Sequence, residues 1–259
     1  MPMKEKMAQN SEISVRSHLL ELRNRLVISA IALVLGTGVA FVFHQHIFNF
    51  LMVPAEGFES IQGNKLIFTQ ITEMIGITMK VSILGGFVLA SPVILWQLVI
   101  FVSPGLTKRE KRFLMLLAPG GTICFIAGMA FGYFVLLPPG LKFLMTFGSD
   151  IASPMIRIGN YVNLVIRLLF WLGVAFETPL VMFFLSKIGI VSANTFAKGR
   201  RYSIVIAFIL GALITPTFDP VNQTLVAIPI ALLYEAGIWL AKLGYRGERS
   251  NNMDLKDRN

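Results

Sequence analysis

Four glutamates carry the chemistry available to this chain, and each is set apart by its neighbours. Glu21 lies in Ser17-His18-Leu19-Leu20-Glu21-Leu22-Arg23-Asn24-Arg25-Leu26. At helical spacing His18, Glu21 and Arg25 form one stripe, and Val15, Leu19, Leu22 and Leu26 form another. Glu110 lies in Thr107-Lys108-Arg109-Glu110-Lys111-Arg112. Carboxylates among surplus cations suit a cationic ligand, above all paired guanidinium groups held bidentately. Local readings remain open for both: Glu21 and Arg25 as an i,i+4 pair worth ~0.2–0.5 kcal/mol, Thr107 and Glu110 as a capping box. Glu177 and Glu235 fall inside long apolar segments, where ionisable groups normally face protein or a water-filled cavity. In Phe176-Glu177-Thr178-Pro179, Pro179 cannot bond the carbonyl of Ala175, so the helix should kink beside the carboxylate. That predicts a hydrated concave face, which Glu235, at similar depth, is expected to share.

Other chemistries lack their parts. There is no nucleophile–base pair, Gly-rich phosphate loop, internal repeat or metal-spaced Cys/His cluster, so no catalytic residue, metal or cofactor is expected. His44 and His46 are two apart, point to different helix faces, and read as interfacial. Cys124 is the single cysteine and can form no internal disulfide. Across 259 residues, 55% are hydrophobic and 14% charged, with a mean hydropathy of +0.70. Soluble domains carry about 25% charged residues, so this is the composition of a membrane protein. The formal charge of +9 then marks cytoplasmic loops, and no nucleic-acid partner is expected.

Six apolar segments follow: roughly 26–48, 73–102, 113–137, 161–185, 202–215 and 224–243. The first reads as a retained helix and not a cleaved signal peptide. Polar stretches at 1–16 and 244–259 are expected to be disordered cytoplasmic tails around a membrane domain at 17–243. Of the 23 Lys and Arg, only Lys65, Lys142 and Arg157 fall in outer loops when the N-terminus is placed inside, and Lys80 and Arg167 fall within apolar segments. The remainder are internal, which puts both termini in the cytoplasm with an even number of spans. Lys80 and Arg167 are expected to snorkel. The fifth segment has only about 14 residues, or ~21 Å against a hydrocarbon core of ~30 Å. It stops at Thr215-Pro216 and reads as a partner-docking edge. The third is expected to stop at Pro138-Pro139, with Phe143, Leu144, Met145 and Phe147 at the membrane surface beyond it. Gly128 and Gly132 form a GxxxG pattern that allows close helix contact.

Taken in order, SHLLELRNRL, Ser91-Pro92-Val93-Ile94-Leu95-Trp96-Gln97, Phe101 to Pro104 with the Lys108–Arg112 cluster, Gly173 to Pro179, and Thr215-Pro216 through Asp219 to Gln223-Thr224 resemble the TatC family. These are the multispanning subunits of the twin-arginine protein translocase. The resemblance implies an all-α, cup-shaped bundle of six transmembrane helices, N-in and C-in, with short fifth and sixth helices. It implies a receptor in the cytoplasmic (inner) membrane for twin-arginine signal peptides of folded cargo, not an enzyme, driven by the proton motive force and nucleating the translocation complex.

Carried over by the motifs, the signal-peptide-binding residues are Glu21, Arg23, Arg25, Phe101, Glu110 and Arg112. Glu177 is the intramembrane carboxylate, Pro54 the outer-loop proline, and Thr215 and Gln223 a patch docking single-span TatA/TatB-type subunits. Other copies of the chain and the lipid bilayer are further expected partners. The Thr217-Phe218-Asp219 turn departs from the family's tighter Pro-Pro-Asp, which loosens any role for Asp219. The alternative is a small-solute or ion secondary transporter with Glu177 and Glu235 as a proton relay, although inverted repeats are absent. An intramembrane hydrolase finds no catalytic pair.

Overall fold

A computed structural model describes the backbone of residues 2–55, 66–103, 108–148, 151, 156–215 and 219–256, and side chains there except at 2–17, 108–114, 116 and 245–256. Among the described residues the chain is all helical, with one isolated parallel bridge between Ile67 and Arg157. The helices are α1 (Pro2–Val42), α2 (His44–Met52), α3 (Glu73–Val102), α4 (Lys108–Phe131), α5 (Leu137–Thr146), α6 (Ile158–Phe176), α7 (Thr178–Lys187), α8 (Ala193–Lys198), α9 (Arg200–Ile214) and α10 (Pro220–Lys256). Five segments among them are long and apolar enough to cross a bilayer: His18–Val42, Glu73–Val102, Leu117–Thr146, Ile158–Lys187 and Pro220–Gly244. The expected fifth span is α9, whose 15 residues rise only ~22 Å.

α1 begins at Pro2 and α10 runs to Lys256. Lys, Glu, Met and Ala are good helix formers, and an apolar span already supplies the costly nucleus from which a helix propagates.

The third span does not stop at Pro138-Pro139. A π-helical turn at Gly132–Leu136 links α4 to α5, and the Leu137 N–H reaches back to the Gly132 carbonyl. Both prolines then occupy the first turn of α5, where a missing N–H costs nothing. As a result Met145 is buried in the core and Leu144 lines a small, partly open apolar pocket with Thr215 and Asn222, while Phe147 is exposed. Of the four residues expected at the membrane surface, Phe147 is exposed, Phe143 and Leu144 are half-buried, and Met145 alone is buried.

The core sits where α3, the π turn, α5 and α6 meet, around Val81, Leu137, Val162, Val165 and Leu172. The GxxxG pair works as predicted: a Cβ on Gly128 would stand 2.6 Å from the Leu172 carbonyl oxygen, and one on Gly132 2.8 Å from Leu172 Cδ1. α1 packs chiefly on α3, at a crossing where a Cβ on Gly36 would meet the Gly86 carbonyl oxygen at 2.7 Å. Its other face, with Val27, Ile31, Val34, Leu35 and Val39, is exposed.

At the end of the bundle away from Glu21, a single carboxylate ties two loops together. Glu73 accepts from the Thr69 N–H (3.0 Å), the Gln70 N–H (3.3 Å) and the Gly159 N–H (3.1 Å), and pairs with Arg157 Nη2 at 3.2 Å. Beside it, the Ile158 N–H donates to the Ile67 carbonyl at 2.9 Å. Tyr161 Oη donates to the Leu51 carbonyl at 2.6 Å, and Tyr133 stacks on Phe50 at 4.4 Å. Pro54 lies in the 3-10 turn Val53–Ala55 that follows α2. Replacing Glu73 with Ala orphans three backbone donors and the Arg157 guanidinium at once. The Glu73→Ala protein is expected to melt several degrees below wild type in detergent. An unchanged Tm would show that the clamp contributes nothing to the fold.

Candidate functional site

The N-terminal motif occupies α1 beside the last turns of α3. Arg25 bridges the two helices: Nη2 meets Glu21 Oε1 at 3.3 Å and Nη1 donates to Gln97 Oε1 at 3.2 Å. His18 stacks on Phe101 with ring centroids 4.5 Å apart and planes 18° off parallel. The polar stripe thus faces protein, while Leu19 and Leu26 on the other stripe are 58% and 60% exposed. That is the reverse of a soluble amphipathic helix, and it is what a lipid surrounding favours. Glu21 and Arg25 are half-buried, Arg23 is exposed and donates to Asn24, and the Arg25 Nε is buried without a partner among the described residues. The i,i+4 pair is therefore real, but it engages only one oxygen of Glu21, and Arg25 holds a second partner. The side chains of Glu110 and Arg112, and Thr107 with its capping box, lie outside the described residues.

Glu177 stands at the break between α6 and α7. Its N–H turns back to Val174 and Ala175, and the chain resumes at Thr178 with Pro179 in the first turn. The predicted kink is thus present at the predicted proline. A Cβ on Gly121 of α4 would lie 3.0 Å from Glu177 Oε2 and 3.1 Å from Leu95 Cδ1, so the absent side chain at Gly121 makes the niche that holds the carboxylate. Glu177 Oε1 is buried with no hydrogen-bond partner among the described residues. Glu235 does not meet it. Its Oε1 pairs with Arg200 Nη2 at the start of α9, 35 positions away in sequence, a partner that no local pattern reveals. Gly121 was likewise missed, since a glycine in a membrane helix is common and names no neighbour.

At the far end of α9, Thr215 is buried and donates from Oγ1 to the Gly211 carbonyl at 2.8 Å. Gln223 Nε2 donates to the Phe208 carbonyl at 2.9 Å. Asp219 caps α10, accepting from the Asn222 N–H at 2.7 Å, with Pro220 as the first helical residue, a standard helix start. Ala207, Gly211 and Ile214 are buried, while Ile204, Val205, Phe208, Ile209 and Leu213 of α9 are exposed. Thr215 thus ends a short helix with an apolar outer face, and Gln223 on α10 is tied to that helix through Phe208.

A family model described as Sec-independent protein translocase protein (TatC) matches residues 17–229. The chain belongs to the TatC family. It is 42% identical over 234 residues to the Sec-independent protein translocase protein TatC of Aquifex aeolicus, covering 90% of this chain and 96% of that one. To the protein of the same description from Carboxydothermus hydrogenoformans it is 37% identical over 245 residues, covering 93% and 99%. A crystal structure of the twin-arginine translocase receptor TatC superposes with a TM-score of 0.79 at 41% identity, over 88% of this chain and 99% of that one. With its five long apolar helices, this TatC-family chain is a multi-pass membrane protein of a transport family and not an enzyme. The resemblance carried by five ordered motifs is thereby established.

Proposed function

We propose that this chain is the receptor subunit of a twin-arginine translocase, binding twin-arginine signal peptides of folded cargo at the α1–α3 end and nucleating the translocation complex. The observation that carries it is the state of Glu21: half-buried, beside the aromatic platform of His18 and Phe101, with one carboxylate oxygen uncommitted among the described residues. An incoming guanidinium makes a bidentate pair there. Arg25 stays held by Gln97 when Glu21 changes partner, so exchange leaves no buried cation without a hydrogen bond. Glu110 and Arg112, with Arg23 and Arg25, complete the recognition surface in this reading.

The excess of Lys and Arg at the same end supports a cytoplasmic placement of both termini in the inner membrane, with six spans counting α9. The apolar part of the signal runs along a concave face beside Glu177. The short α9, with Thr215 at its end and Gln223 of α10 tied to it, docks single-span TatA/TatB-type partners, and Pro54 shapes the outer loop. Copies of the chain associate in the assembled complex.

Fluorescence anisotropy of a labelled signal peptide with the purified protein in nanodiscs tests the reading. A twin-arginine peptide is expected to bind at least tenfold tighter than its twin-lysine counterpart, because lysine offers a point charge where arginine offers a fork. Equal affinity for both peptides would sink the receptor assignment. The transporter alternative gains nothing from the separation of Glu235 from Glu177, since a relay needs the two carboxylates in communication.

A further inference from the structure

Two cations inside apolar spans, Lys80 and Arg167, are used by none of the contacts above. Lys80 Nζ crosses from α3 to α6 and donates to Asn163 Oδ1 at 2.8 Å. Arg167 is one turn further along α6, on the same face as Asn163, and both cations are exposed. Among the described residues neither forms an ion pair. Glu73, the acidic residue on α3, is already committed to Arg157 and three backbone donors. Because Asn163 spends its carbonyl on Lys80, the group it leaves to the outside is its NH2. The seam is therefore all donor: ammonium, amide and guanidinium. Further along the same two helices Phe87 of α3 meets Phe170 of α6 edge to face, ring centroids 5.1 Å apart.

Lys80 lies about 10 Å and Arg167 about 13 Å into their helices, counted from Glu73 and Ile158. That is within reach of long side chains extending back toward the headgroup boundary. The anion available at that depth is a lipid phosphate. We propose that Lys80, Asn163 and Arg167 form a binding site for the phosphodiester headgroup of an anionic phospholipid, in the leaflet next to the Glu73–Arg157 clamp. The lipid's acyl chains lie along the α3–α6 seam, over Phe87 and Phe170. Charge complementarity selects this occupant, since a zwitterionic headgroup would bring a second cation to a seam that offers only donors.

Native mass spectrometry of the full chain, released from micelles doped with phosphatidylglycerol or phosphatidylcholine, reads the site directly. Wild type is expected to retain phosphatidylglycerol in preference. The double substitution Lys80→Gln/Arg167→Gln should lower that occupancy at least tenfold, and the charge-preserving Lys80→Arg/Arg167→Lys should keep it. Lys142→Gln, a cation on α5 away from the seam, should change nothing. The single Gln variants, each expected to lose several-fold, carry the test if the double one does not fold. Equal retention of both lipids by wild type, or undiminished phosphatidylglycerol in the Gln variants, overturns the proposal. So does protection against thermal unfolding by inorganic phosphate equal to that by the lipid, which would assign the seam to a free anion.

Discussion

Glu21→Gln is expected to lower the affinity for a twin-arginine peptide by about 10- to 100-fold. The substitution keeps the side chain's shape and its ability to accept from Arg25, and removes only the charge. A hydrogen bond to a charged group contributes roughly 1.5–3 kcal/mol, and about 1.4 kcal/mol is a factor of ten in Kd. Glu110→Gln is expected to act in the same direction, and the two together to leave the twin-arginine and twin-lysine peptides indistinguishable. Because Glu21 keeps part of its surface in solvent, the wild-type affinity should also fall as salt is raised through the range where the Debye length shrinks from ~10 to ~3 Å. Anisotropy titrations at two salt concentrations check both statements. Wild-type affinity in the Glu21→Gln protein would remove this carboxylate from recognition.

The second large effect is on the fold. Gly128→Leu places a side chain where even a Cβ would come within 2.6 Å of the Leu172 carbonyl oxygen and 2.9 Å of the Gly173 Cα. Backbone cannot rotate away, so α4 and α6 must separate. Overpacking typically costs about 1–3 kcal/mol, and here it also opens the niche between α4 and Glu177. The variant is expected to lose its monodisperse peak in size-exclusion chromatography and to melt far below wild type. Gly76→Leu is the control: nothing lies within 4 Å of a Cβ there, and the gain in helix propensity of up to ~1 kcal/mol should leave Tm the same or higher. A Gly128→Leu protein as stable as wild type would mean that close approach at this crossing is incidental.

Features governed by local chemistry were legible before any coordinates. Proline at 179 has no N–H to give the Ala175 carbonyl, and the helix breaks there. Small residues at 128 and 132 allow contact, and contact occurs. The short fifth helix follows from the distance between basic residues and Pro216. The seam of α1 was half legible: the two stripes were separable by spacing, but the stripe facing protein depends on lipid surrounding the bundle. Features that depend on distant pairs were not legible. Glu73 reads as an ordinary acid at a helix start, and only the arrival of Arg157 and Gly159 makes it a clamp. Glu235 at the depth of Glu177 invited a shared face, but Arg200 captures it. Pro138-Pro139 reads as a stop because nothing in the sequence announces a π turn that puts both prolines in a first turn.

The clamp also sets an order of events during synthesis. Glu73 and Arg157 are 84 positions apart, so α3 leaves the ribosome long before the residues that complete the clamp at its start exist. At ~5–20 residues per second, about 4–17 s pass between them. Throughout that interval Glu73 has only Thr69 and Gln70 to satisfy it. Residues 66–72 cannot be tied down until α6 arrives. Nascent chains halted just short of Arg157 should therefore expose residues 66–72 to added protease, and chains released a few residues later should shield them.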